Sequence, residues 1–304
     1  MGYKINNNSK FSKPNLTGNI GIITSEKFPK LEDLFQSFYM HFYEILNSYL
    51  AKLNYFSLYE NITLQNEKDM ILPRFFLENK VDGIVVLGQL SSEYLNVLVN
   101  TGTSLVFLDF YDDNIDVDSI ITDSFYSSYD ITNYLIRNGH HDICFVGTIY
   151  AASSIQDRFL GYYKALLAHK IPFREDYIVS DRDTESGIIY HKFVLPKDLP
   201  TAFVCCSDQT AYRMIIFLKK LGYKIPDDFS VVGFNNDLYS SISEPAITTV
   251  EIDIDKMSKR AAEIIVDKIN GQRKTIGRII VKTTLVHNES VKIVSKKRVG
   301  IKDI

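Results

Sequence analysis

The sequence predicts an α/β protein built from two similar series of strands and helices. Short apolar runs bounded by turn residues alternate with longer stretches of helical period, a pattern typical of βαβ units and parallel sheets. A polar tract at 111–118 interrupts this alternation and separates the two series. The length of 304 residues is at the upper limit for one hydrophobic core, so two packed subdomains are expected.

The first series begins with an apolar strand and a long amphipathic helix. Its elements are strand 20–24, helix 31–53, strand 55–59, helix 68–78, strand 81–87, helix 92–99 and strand 104–109. The long helix carries a broad aromatic stripe from Phe35 to Tyr49. Packing on the sheet explains such a stripe, but its excess apolar surface also suits contact with a second protomer, and both interpretations stay open. The second interpretation predicts a homodimer built partly from this helix.

The second series has the same alternation. Its elements are helix 127–137, strand 143–147, helix 155–168, strands 177–180 and 202–206, helix 210–221 and strand 230–234. A last helix at 256–269 and a last strand at 279–286 must return to an existing sheet. Discontinuous subdomains follow from this return.

Composition and charge restrict the classes of function. The formal net charge is −3 with both signs interspersed, so we expect the chain itself to bind DNA negligibly. Residues 1–17 are polar, and no run approaches the roughly 18 apolar residues of a membrane span. These features predict a cytoplasmic protein that does not enter a membrane.

Sequence motifs for catalysis are missing. We find no phosphate-binding Gly-x-x-x-x-Gly-Lys loop, Gly-x-Ser-x-Gly turn or His-Glu-x-x-His motif, so no enzyme activity, cofactor or metal is predicted. His140 and His141 follow Gly139, which ends a predicted helix, and a turn or cap role is expected for them. The three cysteines lie inside apolar runs, where buried small side chains are expected, at Cys144, Cys205 and Cys206.

Polar side chains follow the ends of the predicted strands. Ligands of open parallel sheets bind at these carboxyl ends. Asp208 and Ser153 are also explained as helix N-caps or first-turn residues, whereas capping explains Asp109 poorly. The strand-end residues are Thr24, Ser25, Asp109, Gly147, Ser207, Asp208, Asn235, Asn236 and Asp237.

Several segments, taken together and in order, resemble the LacI/GalR family of bacterial transcription regulators over nearly the whole chain. Each segment is weak alone, and their order makes the set specific. Residues 2–21 are similar to the hinge that leads into the first core strand. The other segments are 81–84 with 105–109, 135–140 with 145–147 and 158–162, 200–203 with 207–208, 225–235, and Pro245 with 248–250.

The resemblance implies the type I periplasmic-binding-protein-like fold, an α/β pair of Rossmann-like subdomains with parallel sheets joined by crossover strands. An effector would lie in the cleft between the subdomains. The expected organisation is a hinge or linker remnant at 1–17, an N-terminal subdomain of 18–121 plus 253–280, a C-terminal subdomain of 122–252 plus 281–296, and a tail at 297–304. We expect the family's helix-turn-helix to be absent or truncated, either because the chain was trimmed or because the gene encodes a core-only form.

The resemblance also implies the effector-binding residues. Ser25 and Asp109 would reach the ligand from the first subdomain, and Arg158, Ser207 and Asn235, with Ser154, from the second. A carboxylate accepts hydrogen bonds from sugar hydroxyls and a guanidinium donates to them. Arg158 could instead form a structural ion pair on its helix. For the ligand role, we expect both Arg158 and Asp109 to point into a solvated cleft rather than a core.

Two positions depart from a common family pattern, because Ser207 stands where asparagine is frequent and Asn235 where aspartate is frequent. The predicted function is the effector-sensing and dimerisation core of a repressor of carbohydrate-utilisation genes, with operator DNA bound only through the missing helix-turn-helix. A sugar-binding protein of a transport system is the alternative. It would need an export signal or a lipid-attachment cysteine, and neither is found.

Overall fold

The structure is a computed structural model that describes residues 16–26, 37–184, 186–272, 275 and 277–294. Residues 1–15 of the predicted hinge remnant and the whole predicted tail, 297–304, lie outside the described residues, as does Phe35 of the aromatic stripe. The chain forms two compact units and passes between them after Ile120, Asp253 and Ile279.

The strands and helices alternate along the chain, as the hydrophobic pattern predicts. The described strands are β1 (Asn19–Ser25), β2 (Phe56–Ile62), β3 (Gly83–Leu87), β4 (Ser104–Leu108), β5 (Ser119–Thr122), β6 (Ile143–Val146), β7 (Ile178–Val179), β8 (Ala202–Cys205), β9 (Ser230–Val232), β10 (Thr249–Glu251), β11 (Arg278–Val281) and β12 (Thr284–Val286). The described α-helices are α1 (Ser37–Lys52), α2 (Leu64–Lys68), α3 (Arg74–Leu77), α4 (Ser92–Asn100), α5 (Ser124–Arg137), α6 (Ser153–Ala168), α7 (Asp208–Lys220), α8 (Leu238–Ile242) and α9 (Ile254–Ile269).

The first unit is built on a sheet with the strand order β11-β5-β4-β3-β1-β2. Strands β1 to β5 pair in parallel within it. All residues of β3 are buried, which is why this strand is a continuous apolar run rather than an alternating one. Strand β2 lies at the edge and exposes much of its length. The α/β class predicted for the first series is confirmed.

The second unit is built on a parallel sheet with the strand order β7-β6-β8-β9. Strands β10 and β12 form a separate antiparallel pair. A hydrophobic core of this unit contains Cys144 of β6 and Phe203 and Cys205 of β8, buried together with Met214 of α7. The predicted burial of the three cysteines is confirmed, since Cys206 is buried as well.

Two predicted elements are wrong. The helix expected at 68–78 is two short helices, α2 and α3, because Met70 adopts a left-handed backbone with φ 55° and Pro73 immediately precedes α3. Proline cannot continue a helix through its interior. The strand expected at 279–286 is divided into β11 and β12, which belong to different sheets.

Short elements were also missed. They are β5, α8 and β10, each of three to five residues, and such lengths leave little periodic signal. No helix in the described part of the chain has the length and apolar character that crossing a membrane requires.

Candidate functional site

Two predicted site residues lie at the carboxyl edge of the first unit's sheet. Ser25 ends β1 and Asp109 follows β4, with β3 between these two strands. The Ser25 hydroxyl donates to Oε2 of Glu67 across 3.4 Å. Asp109 has a φ of 68°, a left-handed backbone that is uncommon for a residue other than glycine and occurs frequently at functional sites. Its carboxylate accepts a hydrogen bond from the Tyr39 hydroxyl at 3.2 Å.

In the second unit, Arg158 of α6 brings several strand-end groups together. Its Nη1 donates to the Cys206 carbonyl at 2.5 Å and its Nη2 to Asn235 Oδ1 at 3.5 Å. Its Nε donates to the Ser124 hydroxyl at 3.4 Å. The guanidinium carbon lies 3.8 Å from the centre of the Phe234 ring. Arg158 therefore connects the ends of β8 and β9 with the start of α5.

The expectation that the side chains of Arg158 and Asp109 are solvated is wrong. Arg158 is 6% exposed and Asp109 is 9% exposed. A planar guanidinium stacks on an aromatic ring while its N–H groups reach separate acceptors, so burial of Arg158 is well compensated. Replacing this side chain must therefore affect folding as well as any bound ligand.

Asn235 lies in a left-handed turn directly after β9. Its φ is 116° and that of Asn236 is 53°. Asparagine tolerates this region better than most residues, because its short side chain can form local hydrogen bonds. The backbone N–H of Asn235 donates to the Val250 carbonyl at 2.8 Å. The turn presents the Asn235 side chain to Arg158, and the structure thus joins two of the predicted site residues.

Ser207 and Ser154 lie at helix starts. Ser207 is the N-cap of α7, where its oxygen accepts from the Thr210 amide at 3.1 Å. Ser154 is half-buried in the first turn of α6. It precedes Arg158 by four residues and so shares a helix face with it.

The network around Asp181 was missed in the sequence. This buried carboxylate accepts from the Thr148 amide at 2.8 Å and from the Thr210 hydroxyl at 2.7 Å. Arg182 pairs with it at 2.8 Å. Burial alone would raise the pKa of Asp181, but the Arg182 charge and these hydrogen bonds outweigh it and lower the pKa to about 2. Asp181 follows the predicted strand 177–180, so the strand-end rule would have identified it.

The thiol of Cys206 also contacts this network. Its Sγ lies 3.2 Å from Oδ2 of Asp181. Burial, and then the Asp181 charge, raise the pKa of Cys206 to about 12. A thiol with so high a pKa is a weak nucleophile at neutral pH, in agreement with the structural role predicted for this cysteine.

A second buried carboxylate, Asp208, occupies the first turn of α7 as predicted. It accepts from the Thr249 hydroxyl at 2.5 Å and from the Asp237 amide at 3.0 Å. A Cβ at Gly233 would lie 2.1 Å from its Oδ1, so glycine is needed for this close approach. Burial, and then the charge of Asp237, raise the pKa of Asp208 well above its ordinary value.

The stability of the second unit should depend on pH through Asp237. Burial raises its pKa to about 6, above the value of about 3.9 expected in the unfolded chain. The folded state then holds the proton more tightly, so this contribution is complete below pH 4 and is lost as the pH rises through 6. Asparagine also caps helices, so Asp237→Asn should keep the cap while it removes the titrating group. We expect the variant to lose about 1–2 kcal/mol of the change in the free energy of unfolding between low and neutral pH.

Denaturant unfolding of the wild type and of Asp237→Asn at pH 4.5 and pH 7.5 measures this effect. Between pH 4.5 and pH 7.5, the free energy of unfolding of the wild type should rise less, or fall more, than that of the variant. Asp228→Asn, at an exposed turn, is the control and should follow the wild type. Parallel pH profiles for the wild type and Asp237→Asn would contradict the prediction.

Comparison with known proteins identifies the family. A family model described as a periplasmic binding protein-like domain matches residues 132–291. The HTH-type transcriptional repressor PurR of Yersinia pestis bv. Antiqua is 30% identical over 288 residues, which cover 92% of this chain and 81% of the relative. The chain belongs to the LacI/GalR family. It is the effector-binding regulatory core of a LacI/GalR-type regulator.

Solved structures confirm the fold of this LacI/GalR core. The complex of the transcriptional regulator CelR with cellobiose has a TM-score of 0.75 and 19% identity, over 90% of this chain and 85% of the other. A LacI family regulator from Enterococcus faecium with bound ribose has a TM-score of 0.72 and 19% identity, over 91% of this chain and 100% of the other. The predicted periplasmic-binding-protein-like fold is confirmed. The relative from Yersinia pestis is named a repressor rather than an enzyme.

Proposed function

We propose that this LacI/GalR core binds a small neutral sugar and belongs to a repressor of carbohydrate-utilisation genes. The observation that carries the proposal is the chemistry of the strand ends. Asp109 offers carboxylate oxygens in the first unit, while Arg158 and Asn235 offer a guanidinium and an amide in the second. Sugars present many hydroxyls that both donate and accept, so separated acceptors and donors suit them.

The charges at these strand ends favour a neutral ligand over a strongly anionic one. Asp109 would repel a carboxylate or phosphate placed beside it. Two solved structures with this fold, of other regulators, contain cellobiose and ribose. We assign contact with operator DNA to a helix-turn-helix rather than to this core, because a net charge of −3 does not suit a phosphate backbone.

A melting-temperature screen tests the proposed ligand. The panel contains galactosides, glucosides and pentoses, with purines and amino acids as the competing classes. A sugar present at 100 times its dissociation constant should stabilise the chain by roughly 2.7 kcal/mol and raise the melting temperature. A shift with purines or amino acids and none with any sugar would show that the ligand class is wrong.

We also propose a homodimer formed partly by α1. One face of this helix is buried within the unit, at Phe42, Leu46 and Leu50. Apolar side chains are exposed just after the C-terminal end of α1, where Leu53 is 37% exposed and Phe56, the first residue of β2, is 75% exposed. Light scattering should report about twice the monomer mass of 34.9 kDa. Phe56→Glu should shift the protein toward monomer, because a charge placed in an apolar interface is costly.

Leu167→Glu is the matched control for the dimer. Leu167 is 59% exposed on α6, which belongs to the second unit. This variant should keep the wild-type mass. A monomeric wild type at tens of micromolar would rule out the homodimer. Equal behaviour of the two glutamate variants would exclude the start of β2 from its interface.

A further inference from the structure

A chain of hydrogen bonds leads from Asp181 to the candidate ligand group Ser207. The Thr210 hydroxyl donates to Asp181 Oδ2 at 2.7 Å. The Ser207 hydroxyl donates in turn to Thr210 Oγ1 at 2.9 Å. The Thr210 amide also donates to Ser207 Oγ at 3.1 Å. We call these three residues the Asp181–Thr210–Ser207 relay.

The direction of the relay is fixed at its buried end. An ionised carboxylate only accepts hydrogen bonds. Asp181 is fully buried and is held ionised by its ion pair with Arg182 at 2.8 Å and by the Thr148 amide at 2.8 Å. Thr210 has one hydroxyl proton, and it must point to this carboxylate. In its contact with Ser207, Thr210 Oγ1 can therefore only act as the acceptor.

The proton and the lone pairs of the Ser207 hydroxyl can be assigned in the same way. A serine hydroxyl has one proton and two lone pairs. The proton is directed to Thr210 Oγ1, and one lone pair accepts the Thr210 amide proton. The group that Ser207 can offer to a ligand is its second lone pair. Ser207 is half-buried and lies just beyond the end of β8, where ligands of parallel sheets bind.

We infer that the relay makes Ser207 an obligatory acceptor, so that the effector must present a hydrogen-bond donor, a hydroxyl or N–H, at this point. The inference rests on the proposed effector site and specifies one of its contacts. Asparagine, frequent in the family at this position, carries both an acceptor and a donor. Serine within the relay offers only the acceptor. A carbonyl, ether or fluorine of the ligand placed here would face the Ser207 oxygen with no proton between the two acceptors, and the contact would be repulsive.

A neutron structure of the perdeuterated, unliganded chain tests the relay directly. We expect the Thr210 hydroxyl deuteron to point to Asp181 Oδ2 and the Ser207 deuteron to point to Thr210 Oγ1. A Ser207 deuteron that points away from Thr210 would overturn the inference, whatever the ligand proves to be.

Calorimetry with fluorinated sugars tests the consequence for the ligand. D-galactose and D-glucose are each compared with their monodeoxyfluoro analogues, in which fluorine cannot donate. The wild type should bind one analogue about tenfold more weakly than its parent sugar, the size expected from a lost hydrogen bond. In Thr210→Val the Ser207 proton is released and can reach the fluorine, so this penalty should fall to about threefold or less. Ser207→Ala should also reduce it.

The control is Thr132→Val, because Thr132 is a buried helical threonine of the same unit that donates to the Ser128 carbonyl. This variant should keep the full penalty. Sugar binding with the same fluorine penalty in the wild type, Thr210→Val and Ser207→Ala would overturn the inference while the proposed function stands. If neither sugar binds, the proposed ligand class fails, and the deuteron positions still decide the relay.

Discussion

Replacing Arg158 by alanine should weaken binding of the sugar identified by the melting-temperature screen by about 100-fold or more. A charge-assisted hydrogen bond is worth roughly 1.5–3 kcal/mol, and a guanidinium can form two of them with vicinal hydroxyls. Loss of two such bonds, even at the lower of these energies, together with the contact at 3.5 Å through which Arg158 orients Asn235, accounts for a change of this size. Binding is measured by calorimetry at low temperature, where the variant stays folded.

The unliganded Arg158→Ala variant should also melt at a lower temperature than the wild type. Its substitution leaves the Cys206 carbonyl without the Nη1 donor and removes the cation above the Phe234 ring. Arg158→Lys keeps the charge but not the planar fork, so its affinity should lie between those of alanine and arginine. Arg260→Ala, at an exposed ion pair on α9, is the control. Full sugar affinity in Arg158→Ala would show that the residue's role is structural only.

Much of the fold is predictable because its strands are apolar runs of ordinary length. β3 and β4 are buried almost throughout, and a parallel strand covered on both faces has to be apolar at each position. The strand-end rule identified Asp109, Ser207 and Asn235, because a polar residue directly after such a run lies at the carboxyl edge of the sheet. These predictions depend on local sequence alone.

The remaining features depend on contacts between distant segments. Nothing near Arg158 in the sequence shows that the Phe234 ring lies 3.8 Å from its guanidinium. The pairing of Asp181 with Thr210 likewise joins residues 29 positions apart. Sequence reasoning therefore expected Arg158 to be solvated, and it gave no sign that the hydroxyl proton of Ser207 is taken by Thr210. Hydrogen-bond direction becomes readable only when every partner of a buried group is known.

Gly161 allows α5 and α6 to approach closely, and its replacement should have the largest effect on stability. A Cβ built at this position would lie 2.0 Å from the carbonyl oxygen of Phe125 and 3.0 Å from Cβ of Ser128. The nearest atom belongs to the backbone, so the clash cannot be relieved by a side-chain rotation. α5 and α6 would have to separate, and the packing around the buried Tyr162 would loosen with them.

Gly161→Ala should therefore destabilise the chain by about 2 kcal/mol or more, even though alanine favours an isolated helix over glycine by about 1 kcal/mol. Helix propensity predicts that Gly161→Ala raises the free energy of unfolding, whereas packing predicts that it lowers it. The measurement decides which effect is larger. Denaturant unfolding compares Gly161→Ala with Gly102→Ala, where φ is +73° and an added Cβ meets nothing within 4 Å. The control should lose only about 1 kcal/mol, the cost of a left-handed backbone for alanine. A Gly161→Ala variant as stable as the wild type would mean that α5 and α6 can separate at little cost. The placement of Arg158 on α6 against Ser124 of α5 would then be adjustable rather than fixed by packing.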